Sequence, residues 1–469
     1  MSSIFGALIP PVDLVPPQEL GPVHFIAVGG AGMSGIAALY AQLGSRVSGS
    51  DQADSPVLAD LAAAGVRVHV GHAPEQLGDA ETVVVSSAIR ADNPELVAAR
   101  ERGLRIWHRS AALGALMLGR PGVAVTGTHG KTTTSGMLAH LLVECGTDPG
   151  YVIGAPLAGG GHAFRLGTGP FVVEADESDG SFLQYPADTA VITNIEADHL
   201  DNWRTPEAYL DGFRSFAARA TRVVANSDDP GVRAVRREGF DDAWITFGEE
   251  PGARVGVTEL QSSGFRVSAR LGDVQLELAV PGRFNIANAA AAVLAAHSLG
   301  VDLRQAAAAM RTFRGTHRRF MSVGSHDGVD VVDDYAHHPT EVAATLGAAR
   351  SGVRERGGRV ITCFQPHLYS RTRDFADEFG AALAAADEVV LMDVYGARED
   401  PVPGVTSALV ADACQRHGGS VRLVPDRAEV PGVLAGLAHP GDVVLTLGAG
   451  DVTQIAPEVV TALTARGSR

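Results

Sequence analysis

A single lysine stands in the chain, Lys131, inside Thr126-Gly127-Thr128-His129-Gly130-Lys131-Thr132-Thr133-Thr134, directly after the apolar run Val123-Ala124-Val125. A glycine-rich turn between a buried strand and a helix gathers backbone N–H groups at one spot, and the helix N-terminus adds partial positive charge there. Phosphate oxygens suit that spot. The lysine ammonium then serves the terminal phosphates, and the Thr132 hydroxyl is suited to ligate Mg2+. Val125 occupies the position where the longer G-x-x-x-x-G-K-[ST] loop carries its first glycine, so this is a shortened form of that loop. Gly127, Thr128, His129, Gly130, Lys131, Thr132 and Thr133 are the expected nucleotide-binding residues.

A second group of chemical side chains ends the apolar run Phe171-Val172-Val173, where Glu174, Asp176 and Glu177 fall within four positions. Three acids at a buried strand end make sense when they meet a cation. Another apolar run, Ala190-Val191-Ile192, leads through Thr193 and Asn194 into Ile195-Glu196-Ala197-Asp198-His199-Leu200-Asp201. If both strands end at the carboxyl edge of the sheet that bears the lysine loop, their side chains meet the bound phosphates. Mg2+ prefers a few carboxylates with phosphate and water oxygens, which makes Thr132 and Glu174 the expected ligands. His199 suits a second ion or the positioning of substrate.

Near the start of the chain, His24-Phe25-Ile26-Ala27-Val28 precedes Gly30-Ala31-Gly32-Met33-Ser34-Gly35, and a helix follows to about Leu43. That is a strand, a G-x-G-x-x-G turn and a helix. The next strand ends at Asp51, where a dinucleotide-binding fold places an acid on the ribose. NAD is the first expectation. A nucleotide-sugar diphosphate is another, because the run Thr82 to Val85 delivers the hydroxyls of Ser86 and Ser87 at its carboxyl end.

Elements that could position these groups follow from the pattern of apolar runs. Continuous runs of four or five residues, each followed by a helical stretch, indicate buried parallel strands in α/β segments. Alternation from about 254 to 280 indicates a hairpin or meander, after which Gly282-Arg283-Phe284-Asn285-Ile286-Ala287-Asn288 opens an alanine-rich helix. A third α/β segment carries Asp333-Asp334-Tyr335-Ala336-His337-His338-Pro339-Thr340-Glu341, then Phe364-Gln365-Pro366-His367-Leu368-Tyr369-Ser370-Arg371-Thr372-Arg373. Such polar strand ends indicate a substrate-facing surface.

Composition narrows the class. The 469 residues are 45% hydrophobic and 20% charged, enough for about three domains. A net charge of −16 argues against a duplex nucleic-acid partner, which asks for a basic face. Cys145, Cys363 and Cys414 are scattered without metal-ligand spacing, which suits a reducing cytoplasm. Cys363 is expected to be strand packing. No apolar run reaches bilayer-spanning length and the first twenty residues lack a basic n-region, so neither export nor membrane insertion is expected.

Taken in order, the chain resembles the Mur ligases. The resemblance rests on G-G-A-G-M-S-G-I-A, G-T-H-G-K-T-T-T, E-A-D-E-S-D, N-I-E-A-D-H-L-D, G-R-F-N-I-A-N-A, D-D-Y-A-H-H-P-T-E and F-Q-P-H-L-Y-S-R-T, which span nearly the whole length. It implies three α/β domains: a Rossmann-like UDP-sugar domain over 1–120, a P-loop ATPase domain over 121–314, and a Rossmann-like amino-acid domain over 315–469 that closes over ATP. It also implies an ATP-dependent amide ligase acting on UDP-N-acetylmuramate and L-alanine through an acyl phosphate, as a monomer or homodimer. The glycine turn is then a diphosphate cradle and the NAD reading recedes. By the same resemblance, Gly30, Gly32, Ser34, Asp51 and Ser87 line the UDP-sugar. Thr132 and Glu174 hold one Mg2+ and His199 a second, Asn285 lies near adenine, and Asp334 and His338 approach the nucleotide. Tyr335 and His337 face substrate, and Arg371 holds the carboxylate or acyl phosphate. A branch that joins a recovered murein peptide to the same UDP-sugar, and a non-enzymatic nucleotide sensor, are the alternatives. Two departures stand out: the family pattern has arginine where Leu368 stands and a small residue where Arg398 stands. The chain also has no lysine after Lys131, whereas other Mur ligases carry a carbamylated one, which favours the alanine-adding branch.

Overall fold

A computed structural model describes residues 5–236, 241–397 and 399–467. Arg398 lies outside the described residues. The chain forms two compact units, one of Met1–Pro156, Gly160–Val257 and Ala287–Ala309, the other of Leu157–Gly159, Thr258–Ile286 and Met310–Arg469.

The first unit holds two sheets. In the first, β1 (Val23–Ile26), β2 (Val47–Asp51), β3 (Arg67–Val70), β4 (Thr82–Val85) and β5 (Arg105–His108) run parallel in the order β3-β2-β1-β4-β5. β1 lies in the middle with every residue buried, as its unbroken apolar run requires. It is shorter than the sequence suggests. Ala27 adopts φ +61° and the Val28 amide bonds to the Ser50 carbonyl at 2.9 Å, so the backbone has already begun its turn towards the helix Ala31–Gln42.

The second sheet of this unit comprises β6 (Gly122–Thr126), β7 (Gly150–Val152), β8 (Phe164–Arg165), β9 (Phe171–Glu174), β10 (Thr189–Ile192), β11 (Arg222–Asn226) and β12 (Trp244–Gly248), ordered β12-β11-β10-β6-β9-β7-β8. Val255 and Gly256, which open β13 (Val255–Ser263), pair with β12. β6 is flanked by β10 and β9, both parallel to it, in registers that set Thr126 beside Ile192 and Val125 beside Glu174. The lysine loop and both acidic strand ends therefore leave the same edge. Beneath this edge Phe182 stacks on Phe216 at 5.0 Å and meets Phe213 edge-on at 5.4 Å, a large apolar anchor under the acidic turn.

In the second unit, β14 (Arg266–Leu271) and β15 (Val274–Leu278) form the antiparallel hairpin that the alternating pattern implied, with Val274, Leu276 and Leu278 inward. Six further strands make its main sheet: β16 (Met321–His326), β17 (Val329–Asp334), β18 (Val360–Phe364), β19 (Glu388–Leu391), β20 (Val421–Leu423) and β21 (Val443–Leu447), in the order β16-β17-β21-β18-β19-β20. Phe265, just ahead of β14, occupies a notch on the helix Pro339–Arg354, where a side chain at Gly352 would stand 2.0 Å from its ring. Cys363 is fully buried in β18, and burial pushes its thiol far up, consistent with packing. Among the described residues, no helix is long and apolar enough to cross a membrane.

Candidate functional site

The lysine loop is held in shape by the residues that follow β10. Gly127 (φ +134°) has Thr193 Oγ1 only 2.1 Å from where a Cβ would be, and Gly130 (φ +84°) has the Asn288 amide oxygen at 2.7 Å. Neither position tolerates a side chain. The Thr128 amide donates to the Asn194 carbonyl at 3.0 Å and the His129 amide to the Asn194 side chain at 2.8 Å. The first helical bond runs from the Thr134 amide to Gly130 at 2.9 Å, leaving Lys131, Thr132 and Thr133 with the spare amides of any helix start. Lys131 Nζ donates to the carbonyls of Gly127 at 2.7 Å and Thr128 at 3.0 Å, and contacts Glu177 Oε2 at 2.9 Å. Two of its protons thus bond carbonyls, and the ammonium faces Glu177 as an ion pair. Burial opposes the charge on Lys131, but Glu177 and then Asp176 outweigh it and raise its pKa.

The three acids after β9 have three different surroundings. Glu174 Oε1 accepts from Thr132 Oγ1 at 3.1 Å, while Oε2 accepts from the Gly154 amide at 2.7 Å. Adjacent oxygens around an octahedral Mg2+ with bonds of ~2.1 Å stand about 3 Å apart, so this hydroxyl and carboxylate fit that ion. Asp176 lies 3.6 Å from Arg109 Nη2 and accepts the Ser178 amide at 3.0 Å. Glu177 is fully buried, and burial raises its pKa against the pull of Lys131. Tyr209 bridges Glu177 and Thr128, its hydroxyl 3.4 Å from Glu177 Oε1 and 3.1 Å from Thr128 Oγ1. His199, at φ +54°, places Nε2 3.5 Å from Asp198 and 3.9 Å from Glu177. His129 Nε2 lies 2.9 Å from Glu196.

The glycine turn after β1 is tied to the end of β2, where Asp51 Oδ2 accepts the Gly29 amide at 2.9 Å. Gly30 caps the helix Ala31–Gln42, and the Ser34 amide bonds to the Gly30 carbonyl at 3.0 Å. Gly32 lies against Arg109, whose Cδ would stand 3.4 Å from a side chain there, an ordinary packing contact. Ser87 Oγ donates to Asp179 Oδ2 at 3.0 Å and lies 3.2 Å from His108 Nε2. His108 Nδ1 accepts the Ser110 amide at 3.3 Å, which leaves Nε2 as the protonated nitrogen facing Ser87. Burial, reinforced by Arg109, pushes the His108 pKa down to about 4, so the ring is neutral at pH 7.

In the second unit, Asp334 closes β17 and accepts the amides of Phe320 at 2.6 Å and Ala336 at 2.8 Å. Burial pushes its pKa up to about 6. Tyr335 receives the guanidinium groups of Arg318 and Arg319 on its ring at 4.8 and 5.1 Å. His337 packs against Tyr335 at 5.1 Å and His367 at 6.2 Å, and burial pushes its pKa down to about 4. His338 caps the helix Pro339–Arg354 through Nδ1 and the Thr340 amide at 3.4 Å. Asn285 Nδ2 donates to the Pro281 carbonyl at 2.6 Å. Arg373 is engaged by Asp374 at 2.7 Å, whereas Arg371 makes no ion pair among the described residues. Leu368 holds φ +72° at the start of the helix Tyr369–Asp374. A half-buried arginine beside neutral imidazoles can receive an anion.

Sequence reasoning assigned no role to Arg109 or Tyr185 and did not foresee that Glu177 faces the lysine. The position of Arg109, just beyond the last residue of β5, was the available signal, since ligands gather at the carboxyl ends of parallel strands.

Three family models cover most of the chain: "Mur ligase family, catalytic domain" over 22–121, "Mur ligase middle domain" over 125–296, and "Mur ligase, glutamate ligase domain" over 318–450. A UDP-N-acetylmuramate–L-alanine ligase of Cutibacterium acnes is 58% identical over 96% of this chain and 98% of its own. One of Kineococcus radiotolerans is 53% identical over 96% and 97%. Among solved structures, UDP-N-acetylmuramate-alanine ligase from Thermotoga maritima superposes with a TM-score of 0.79 at 29% identity, covering 96% of this chain and all of that one. A murein peptide ligase from Psychrobacter arcticus gives 0.67 at 25% identity, covering 94% and 98%. On the three matched domains and the full-length identity, the chain belongs to the Mur ligase family.

Proposed function

We propose that this protein joins L-alanine to the lactyl carboxylate of UDP-N-acetylmuramate, using ATP and releasing ADP and phosphate, in the synthesis of peptidoglycan precursor. The observation that carries the reading is the lysine loop with Thr132 and Glu174 3.1 Å apart at its mouth, on a chain 58% identical to an enzyme of that name. The work then falls in the cytoplasm, where ATP and the sugar nucleotide are found.

The side chains around the lysine loop account for the chemistry of an acyl-phosphate route. The spare amides at the start of the helix Lys131–Glu144 bind phosphate oxygens, and Lys131 adds a mobile positive charge. Thr132 and Glu174 would hold Mg2+, which when bound neutralises charge on the ATP phosphates. Phosphoryl transfer asks mainly for in-line placement and charge neutralisation, so these groups position and neutralise and need no covalent intermediate on the protein. Arg371, which makes no ion pair among the described residues, would hold a carboxylate or acyl phosphate. Gly30, Gly32, Ser34 and Asp51 shape the cradle for the diphosphate. Among the described residues none favours the runner-up, peptide addition, and its example lies at 25% identity.

Phosphate release from ATP with UDP-N-acetylmuramate, comparing L-alanine, a murein tripeptide and no amine, tests the reading with mass detection of the product. Release that depends on L-alanine and yields the alanyl product is expected. Release with tripeptide alone moves the protein to the recycling branch, and no coupled release removes the ligase reading.

A further inference from the structure

Arg109 differs from most arginines of this chain in having no hydrogen bond among the described residues. Its side chain is only 24% exposed, and its one ionic neighbour, Asp176, stands at 3.6 Å, beyond hydrogen-bond range. A guanidinium carries five N–H donors in a planar fork, and withdrawing them from water without acceptors is costly. Close by, Tyr185 is 3% exposed and its hydroxyl also lacks a partner. The helix that Arg109 opens, Arg109–Ala115, packs on the turn Ser181–Gln184 that leads into Tyr185, so closely that a side chain at Gly114 would stand 3.3 Å from the Gln184 carbonyl. Two donor side chains with nothing to donate to, one of them almost wholly buried, are therefore neighbours. Their place is specific. The arginine lies over Gly32 of the glycine turn on one side and beside Asp176 of the acidic turn on the other. An oxyanion there would satisfy the fork and the phenol together.

We infer that Arg109 and Tyr185 form a substrate-binding pair that takes an oxyanion of the sugar nucleotide, with Asp176 holding the guanidinium until the substrate displaces it. The inference rests on the proposed sugar-nucleotide function. Two groups of UDP-N-acetylmuramate share the required chemistry, the diphosphate and the lactyl carboxylate. Both are anionic and both must lie between the cradle and the lysine loop.

The pair predicts opposite effects for the two members of the ion pair. Calorimetric titration of the full-length protein with UDP-N-acetylmuramate should show Arg109→Ala weakening affinity roughly 10- to 100-fold and Tyr185→Phe about 3- to 10-fold. ATP affinity without sugar should stay within about twofold. Asp176→Asn, which keeps the acceptor for the Ser178 amide, should bind UDP-N-acetylmuramate as tightly as the parent or a few-fold tighter, because the substrate no longer competes with a carboxylate. A purely structural ion pair would instead weaken binding from both ends, and that result overturns the inference. Unchanged affinity in Arg109→Ala at an unchanged melting temperature also overturns it. If that variant does not fold, Arg109→Lys decides by the same criterion, since it keeps charge and loses the fork. UDP-N-acetylglucosamine, which has no lactyl carboxylate, separates the sources: equal loss with both sugars assigns the diphosphate, and loss with the muramate alone assigns the carboxylate. A parent protein that binds neither sugar nucleotide would instead sink the functional reading itself.

Discussion

Replacing Lys131 with methionine should damage the protein in two separable ways. The ammonium is lost to the phosphates, and turnover should fall by at least about 1,000-fold, the scale on which phosphoryl-transfer cations act. The same substitution leaves Glu177, wholly buried, without the cation that stands 2.9 Å from it. Breaking a buried pair from one side costs about 3–5 kcal/mol. The loss has a ceiling, because Glu177 can take up a proton instead. From its ordinary value of 4.5, protonation at pH 7.5 costs about 4 kcal/mol, at ~1.4 kcal/mol per unit. A loss of roughly 3–4 kcal/mol corresponds to a fall of roughly 5–10 °C in the melting temperature for a unit of this size. Adding Glu177→Gln to Lys131→Met removes the stranded charge, so the double variant should recover most of that stability and none of the turnover. The assays are thermal unfolding without nucleotide and coupled phosphate release. A double variant as unstable as Lys131→Met would refute the reasoning, because the instability would then come from the loop and not from Glu177.

Other residues give simpler tests. Glu174→Gln should raise the Mg2+ concentration needed for half-maximal activity by about 10- to 100-fold, measured by metal titration, since a neutral amide replaces the carboxylate facing Thr132. Arg371→Ala should lower turnover by about 100-fold or more while Arg373→Ala, already engaged with Asp374, stays within about threefold of the parent. Asp334 is 6% exposed and its carboxyl is pushed up to about 6 from 3.8, so the folded protein holds the proton more tightly than the unfolded chain. Its stabilising contribution is present below pH 3.8 and is lost as pH rises to 6, by about 3 kcal/mol at ~1.4 kcal/mol per unit. Asp334→Asn should flatten that part of the stability profile, read as the difference in unfolding between parent and variant across the window.

The parts of this molecule legible in the sequence are those that neighbouring residues determine. The lysine loop is announced by glycines at 127 and 130, and the backbone needs them there. The β14–β15 hairpin follows from strict alternation at Val274, Leu276 and Leu278. Glu174 could be matched to Thr132 because one ends a run that reads as a buried parallel strand and the other opens the helix after the loop that follows another such run. What stayed hidden depends on strand order. Arg109 follows β5 and Asp176 follows β9, strands of two different sheets, and nothing in either local pattern foretells that they meet. The same distance concealed the bond from Ser87 to Asp179, 92 positions apart. Local pattern also could not divide the labour among Glu174, Asp176 and Glu177, since adjacent acids look alike until their partners are known.

The confinement of Lys131 by two carbonyls and a carboxylate makes this protein its own reporter. A protonated amine held by two carbonyls and paired with a buried carboxylate is a poor nucleophile, so an acylating or reductively alkylating reagent reacts only when the loop lets the side chain go. In an ordinary protein that event would be lost among dozens of surface amines. Here no other lysine competes, and the rate of modification at one peptide counts how often the catalytic loop opens, with or without each substrate, in a chain that needs no engineered label.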